Sequence, residues 1–465
     1  MATHPLVALR TAIGLSQPAY AQLIARTYAE LGYGRMAARR EKVSRWESGR
    51  IVPELGTQLA IARIHQVDRG LVLRLGWPQW LLAAGGDHTL LRQPWSPQAA
   101  IAVAESLAGA PASPGSVPIA TGPALIATGP ALRLQIRGAL GALAGGLRPP
   151  GQDGLGITPG TLAWAEARIR ALEELEAGSP IPQDVLHASA RAEYRLVGDL
   201  LSRHCYDAPT GTRLLLLAGR AAALCAWTSG ALGEEFRAER YGLAAIRAAS
   251  AAGAARHTSA YLCLLSITHL RRGDPRDALA LLQAARTVDP RPSPRLAVIL
   301  HSRQARALGR LGESTAGLHA LDRAERALAG AEPQWDPDCD PTASNIDEKY
   351  LTLARGHTWL CLGQPARALA CCEGLLDGGP PPTGPPSPHG LSRLRPVVEA
   401  RLAVGQVDEA AAAVHGAIAR TGALPPALAR WFGAHLAPHA GQPEVRDVLE
   451  LLREPSAPPR RYAPE

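Results

Sequence analysis

The sequence predicts an all-α protein. Three observations carry that expectation. Ala, Leu and Arg, all good helix formers, dominate the 465 residues, while aromatic residues make up only 4% and Phe occurs twice. Apolar residues recur at three- and four-residue spacing through most of the chain, as on amphipathic helices. Short Gly- and Pro-containing breaks separate those runs. The length suggests two to four domains at about 100–200 residues each.

Residues 1–85 read as five short helices. Leu6, Leu9 and Arg10 share one face of the first, which stops at Gly14. Ser16 is placed to cap a second, with Pro18 in its first turn. Tyr20, Leu23, Ile24, Tyr28 and Leu31 keep helical period up to Gly32. A third helix is expected over 37–48, ended by Gly49. A fourth follows Pro53, with Leu55, Leu59, Ala62 and Ile64 apolar. A fifth covers 71–83 and kinks at Trp77-Pro78, where "WPQW" closes the small core.

Residues 86–158 change character and read as a low-complexity linker rich in Gly, Pro, Ala and Ser. The heptapeptide IATGPAL stands twice in tandem, at 119–125 and 126–132. A unit this short is no folded repeat and reads as slippage in a tolerant segment. A brief helix is expected within 131–147. Helices then persist over 159–453, and 454–465 reads as a disordered tail. In the helical region a Gly followed by Asp, Glu or Gln recurs at 233, 273, 312, 363 and 405, each time between two apolar helices. Pro-rich insertions interrupt this pattern at 331–345 and 378–390.

Charge is uneven. The net charge is +8, and residues 1–93 hold twelve basic against six acidic residues. An anionic partner is expected for that part. Much of its charge sits in "REKVSRWESGR", residues 40–50. On a helix, Val43, Trp46 and Glu47 fall on one side. Glu41, Ser44, Arg45 and Ser48 fall on the other, with Arg40 at its edge. Such a helix has an apolar face to anchor it and a polar face of long hydrogen-bonding side chains. A helix entering a DNA major groove needs that division, and Arg is the best reader of guanine O6 and N7.

"LRTAIGLSQPAYAQLI" followed by "VSRWESGRIVP" resembles the helix-turn-helix of the lambda-repressor-like, xenobiotic-response-element family. The resemblance covers about residues 5–84. It implies that Arg40, Glu41 and Arg45 face bases, with Ser44 on the same side. It implies that Gln17, Arg39, Lys42 and Arg50 meet phosphates, which fix register without reading sequence. It further implies a structural ion pair between Arg10 and Glu47. The sequence departs from the family in "RTYAELGYGRMAAR", where the turn before the recognition helix is about twelve residues longer. Arg35 and Arg39 on that insertion would add phosphate contacts.

The segment "YLCLLSITHLRRGDPRDALALLQAARTVDP", residues 261–290, resembles a tetratricopeptide repeat. Leu262, Leu265 and His269 lie on its first helix and Ala278, Leu282 and Ala285 on its second. That resemblance implies a right-handed superhelix with a concave groove. Residues 160–430 are similar to the sensor half of bacterial regulators that join this helix-turn-helix to such repeats, and there the groove takes a peptide, small-molecule or protein ligand.

The chain has no G-x-S-x-G, phosphate-binding loop, G-x-G-x-x-G or H-E-x-x-H motif, so neither enzyme activity nor a cofactor is expected. Seven Cys without C-x-x-C spacing read as buried small hydrophobes, the vicinal pair Cys371-Cys372 included, and no metal site is expected. His257, His269, His301, His319 and His357 read as packing or surface groups. Trp164, Trp227, Trp359 and Trp431 read as core more than groove. No signal peptide or membrane span is legible, so the protein is expected in the cytoplasm. The leading expectation is a homodimeric regulator binding double-stranded DNA. The alternative is an adaptor whose helix-turn-helix docks a protein.

Overall fold

The computed structural model describes residues 4–12, 15–65, 67, 69–84, 90–91, 93–108, 125–145, 156–178, 181–331, 342–344, 346–375, 394–421 and 424–453. Among them the fold is all-helical, with 22 α-helices. The expected tail at 454–465, Cys339 and most of both Pro-rich insertions lie outside the described residues.

Six helices precede residue 85: α1 (Pro5–Ala12), α2 (Gln17–Glu30), α3 (Arg40–Glu47), α4 (Leu55–Ile64), α5 (Arg69–Leu75) and α6 (Gln79–Ala84). Five were expected. Gly76, at φ +70°, and Pro78 divide the fifth into two. Ser16 caps α2, its hydroxyl accepting from the Ala19 amide. Trp80 is fully buried and donates to Gln58 Oε1 at 3.2 Å, so the "WPQW" turn does close this core.

The expectation of a linker over 86–158 is corrected for residues 93–108 and 125–145, while 109–124 and 146–155 lie outside the described residues. Helix α7 (Pro97–Ala108) forms within that segment unexpectedly, and α8 (Gly129–Ala144) is the brief helix expected within 131–147. Their small residues, among them Ala100, Ala104, Ala131 and Ala139, are buried against the helices that follow. The second IATGPAL copy is therefore docked chain. Glu239, fully buried, accepts the Ile126 and Ala127 amides, each at 2.8 Å. Asp277 accepts the Gly129 amide at 2.9 Å. Composition suggested a tolerant spacer, but the non-proline residues of such a segment still carry backbone amides that a buried carboxylate can hold.

The remaining helices follow one another as neighbours. The first two are α9 (Pro159–Gly178) and α10 (Gln183–Arg203). Next come α11 (Ala208–Ala231), α12 (Glu235–Ala251), α13 (Ala255–Arg272), α14 (Pro275–Val288), α15 (Pro294–Arg310) and α16 (Ser314–Ala329). The last are α17 (Glu348–Cys361), α18 (Pro365–Cys372), α19 (Leu394–Ala403), α20 (Val407–Thr421), α21 (Pro426–Leu436) and α22 (Pro443–Arg453). From α11 onward they pack as hairpins. The recurring Gly-Asp/Glu/Gln sites are the hairpin turns, and four of those glycines have φ between 69° and 86°. A left-handed residue just past the helix end lets the chain reverse in three residues. Helix α11 is long and apolar enough to cross a membrane, but 83% of that stretch is buried inside the fold.

Helix α12 lies at the centre. Every residue from Ala238 to Ala251 is buried, because α11 and α13 flank it and α7 and α8 cover it. Its Arg247 bonds the carbonyls of Leu90, Gln93 and Pro94 and the Gln135 amide oxygen, and stacks over Trp95 at 4.2 Å. Burial lowers that guanidinium to about 10.

Replacing Glu239 by Ala orphans two buried amides, at about 1–3 kcal/mol each. The expected result is a matching loss of stability in urea unfolding and faster hydrogen exchange at Ile126 and Ala127.

Acid sensitivity is also built in. Burial holds His187 and His269 down to about 4, against about 6.5 when unfolded. Both are neutral in the folded chain at pH 7. As pH falls the unfolded chain protonates first, so stability is full above about pH 6.5 and declines until about pH 4. Unfolding midpoints measured across that window should fall, and His269→Leu should reduce the proton uptake by about one.

Candidate nucleic-acid interface

Helix α3 is short and held at one face. Val43, Trp46 and Glu47 are buried, and the two apolar residues share a core with Leu6, Leu9, Tyr20 and Ile24 of α1 and α2. Gly49, at φ +70°, ends the helix, and the Arg50 amide bonds back to the Arg45 carbonyl at 3.1 Å.

The one acid on that face has two partners. Arg10 Nε lies 2.5 Å from Glu47 Oε1, and Arg10 Nη1 donates to the Leu15 carbonyl at 2.7 Å. Gln17 Nε2 donates to Glu47 Oε2 at 2.5 Å. Gln17 Oε1 in turn accepts from Arg40 Nε at 3.2 Å. A buried carboxylate thus ties α1 and α2 to α3 and, through Gln17, orients Arg40. Gln17, expected at or near a phosphate, is half-buried and bridges Glu47 and Arg40.

The opposite face is open. Arg39, Arg40, Glu41, Ser44, Arg45 and Arg50 are exposed, and Lys42 is half-buried. This division matches the one read from the sequence. Nothing on this face pairs a nucleophile with a base. It offers fixed cations and hydrogen-bonding side chains on a protruding helix, suited to a polyanion with polar edges.

The long connection into α3 has a simple geometry. Helix α2 continues to Glu30, and residues 31–39 then fold back on α4. Tyr28 donates to Glu54 Oε1 at 2.9 Å, and Tyr33 packs on Tyr28 with ring centroids 5.3 Å apart. A Cβ at Gly56 would sit 3.0 Å from the Tyr28 ring, so glycine makes room for this contact. The insertion braces α4 and leaves Arg35 and Arg39 exposed.

A second feature escaped the sequence reading. The first helices of successive hairpins, α11 to α21, surround a cavity of about 640 Å³. Trp227 and Trp431, expected in the core, line it, as does His357. Trp164 is exposed, with Arg168 4.9 Å from its ring centre. The cavity's arginines are scattered from 271 to 430 in a chain full of arginine, so only the folded chain brings them together.

Compared with known proteins, the chain matches no family model and no curated sequence.

Replacing Glu47 by Ala leaves Arg10 without its ionic partner in a site where both side chains are mostly buried. The expected cost is roughly 3 kcal/mol, read as a lower denaturant midpoint. Glu47→Gln should recover part of it, because Gln keeps an acceptor for Arg10.

Proposed function

We propose that the protein is a sequence-specific, double-stranded-DNA-binding transcription regulator. The observation that carries this reading is α3, with a buried Val43-Trp46-Glu47 face locked by Arg10 and an exposed face bearing Arg40, Glu41, Ser44 and Arg45. Arg40 and Arg45 read base edges in the major groove, while Arg39, Lys42 and Arg50 meet phosphates. The protein acts as a cytoplasmic homodimer on paired half-sites, uses no cofactor and is not an enzyme. The hairpin region, read as tetratricopeptide-like repeats, senses a ligand or partner, and a ligand favouring one arrangement shifts the population competent for DNA.

One observation favours a second reading. Leu31 and Tyr33 in the connection before α3, and Ile51, Val52 and Leu55 in the chain after it, are exposed. Such apolar surface suits a protein partner docked on the helix-turn-helix. Selection from a random double-stranded library with the full-length protein decides between them. An enriched inverted repeat supports the regulator, and no enrichment at any salt concentration favours the adaptor.

On an enriched site, Arg45→Ala should cost about 1–3 kcal/mol and relax preference at one base pair. Arg50→Ala should weaken all sequences alike and reduce the salt slope by about one. Titrations at several salt concentrations measure both.

A further inference from the structure

The cavity among the hairpins is ringed by helices and half-open to solvent. Helix α21 returns to the turn between α11 and α12, where Arg430 Nη2 lies 3.5 Å from the Leu232 carbonyl. Gly233 permits this approach. Its φ is +78°, and a Cβ there would stand 2.7 Å from Ala427 Cβ. The last hairpin therefore seats on the first, and six helices form one wall around about 640 Å³. That is the size of a small-molecule site.

Its charge is one-sided. Arg271, Arg272, Arg303, Arg306, Arg395 and Arg430 line it, against the two acids Glu235 and Glu399. Glu235 lies 3.6 Å from Arg271. The Nε atoms of Arg303, Arg306 and Arg395 are buried and have no hydrogen-bond partner. Arg303 as a whole is only 8% exposed. Burial, with Arg271, Arg306 and Arg272 nearby, pushes Arg395 down to about 10. Burial and the same cluster hold His357 well below its ordinary value. Arg271, Arg272, Arg306 and Arg395 are close enough to repel one another, while Arg303 also donates to the Cys263 carbonyl, and a fold that keeps these guanidiniums together gathers charge for an anion. Arginine forks match phosphate oxygens two at a time.

The remaining walls say more. Trp227, Tyr350 and Trp431 supply flat aromatic surface. Glu235 Oε2 is buried without a partner and is an acceptor for a ligand N–H. We propose that this cavity binds a small organic phosphate carrying a flat, N–H-bearing ring, of which a nucleoside diphosphate is the simplest fit. Its regulatory meaning rests on the sensor reading above. Glu235 begins α12, and Glu239 one turn on holds the segment that leads to the N-terminal helices. A phosphate that draws Arg271 away from Glu235 acts on that helix.

The test is calorimetric titration of the full-length protein, without DNA, with guanosine diphosphate and with inorganic pyrophosphate. The expected result is saturable one-to-one binding of both, tighter for the nucleotide. Arg395→Gln should weaken both about tenfold or more, the worth of one hydrogen bond between charged groups. Arg272 is exposed at the cavity, so Arg272→Gln should fold normally and also weaken binding. Arg276→Gln, on α14 outside the cavity, should bind as the native protein does. No saturable heat up to about 1 mM of either ligand overturns the proposal. So does unchanged affinity in both Arg395→Gln and Arg272→Gln. Equal affinity for the two ligands overturns the ring-binding part. No DNA is present, so failure of operator selection and failure of this titration remain separate results.

Discussion

Helix α12 has no face to water along most of its length, yet it carries Glu239, Arg240 and Arg247 into the interior. A charge in such a place must be matched, because desolvation alone costs several kcal/mol per ion. The rest of the structure supplies the matches. Glu239 is satisfied by amides of the segment before α8, and Arg247 by carbonyls of the segment after α6 and by Gln135. The central helix of the hairpin stack is thereby the hub that fixes the N-terminal helices to it. Gln79 of α6 adds a further link, donating to Thr128 Oγ1 at 2.7 Å.

The same logic runs on a smaller scale at α3. Glu47 is the one acid on a buried face, and Arg10 and Gln17 converge on it. Because the anchor is ionic and hydrogen-bonded, it fixes rotation of the helix more sharply than apolar packing alone does. The face turned outward is then a matter of geometry rather than of adaptation. The hairpin cavity inverts the arrangement. There the guanidiniums outnumber the carboxylates, and the imbalance is held in place by the surrounding helices.

Local signals in the sequence were read well. Ser16 before Pro18 marked the start of α2, and the helix begins there. The glycines at 233, 312, 363 and 405 marked reversals, and each takes a left-handed conformation that other residues avoid. The polar and buried faces of α3 followed from helical period alone, and Arg10 and Glu47, paired by resemblance, do meet. Long-range features were not legible. The contacts of Glu239 and Arg247 with the supposed linker span 112 to 157 residues. Helix α7, unlike the expected α8, was not foreseen, because it buries alanines by close approach and leaves little contrast between its faces. Gly76 reads in sequence as one more break beside a proline, and only its φ reveals two helices instead of a kinked one.

The tandem heptapeptide has a consequence for how this chain tolerates change. Its second copy is gripped by main-chain amides at Ile126, Ala127 and Gly129, and α8 follows directly. Loss of one seven-residue unit by slippage in the coding DNA would leave the surviving IATGPAL in register with α8, with the same amides facing the same carboxylates. Gain of a unit would lengthen only the chain upstream. The cost of losing a unit would fall on Leu125, the buried last residue of the first copy, whose place before the docked segment Pro118 would take.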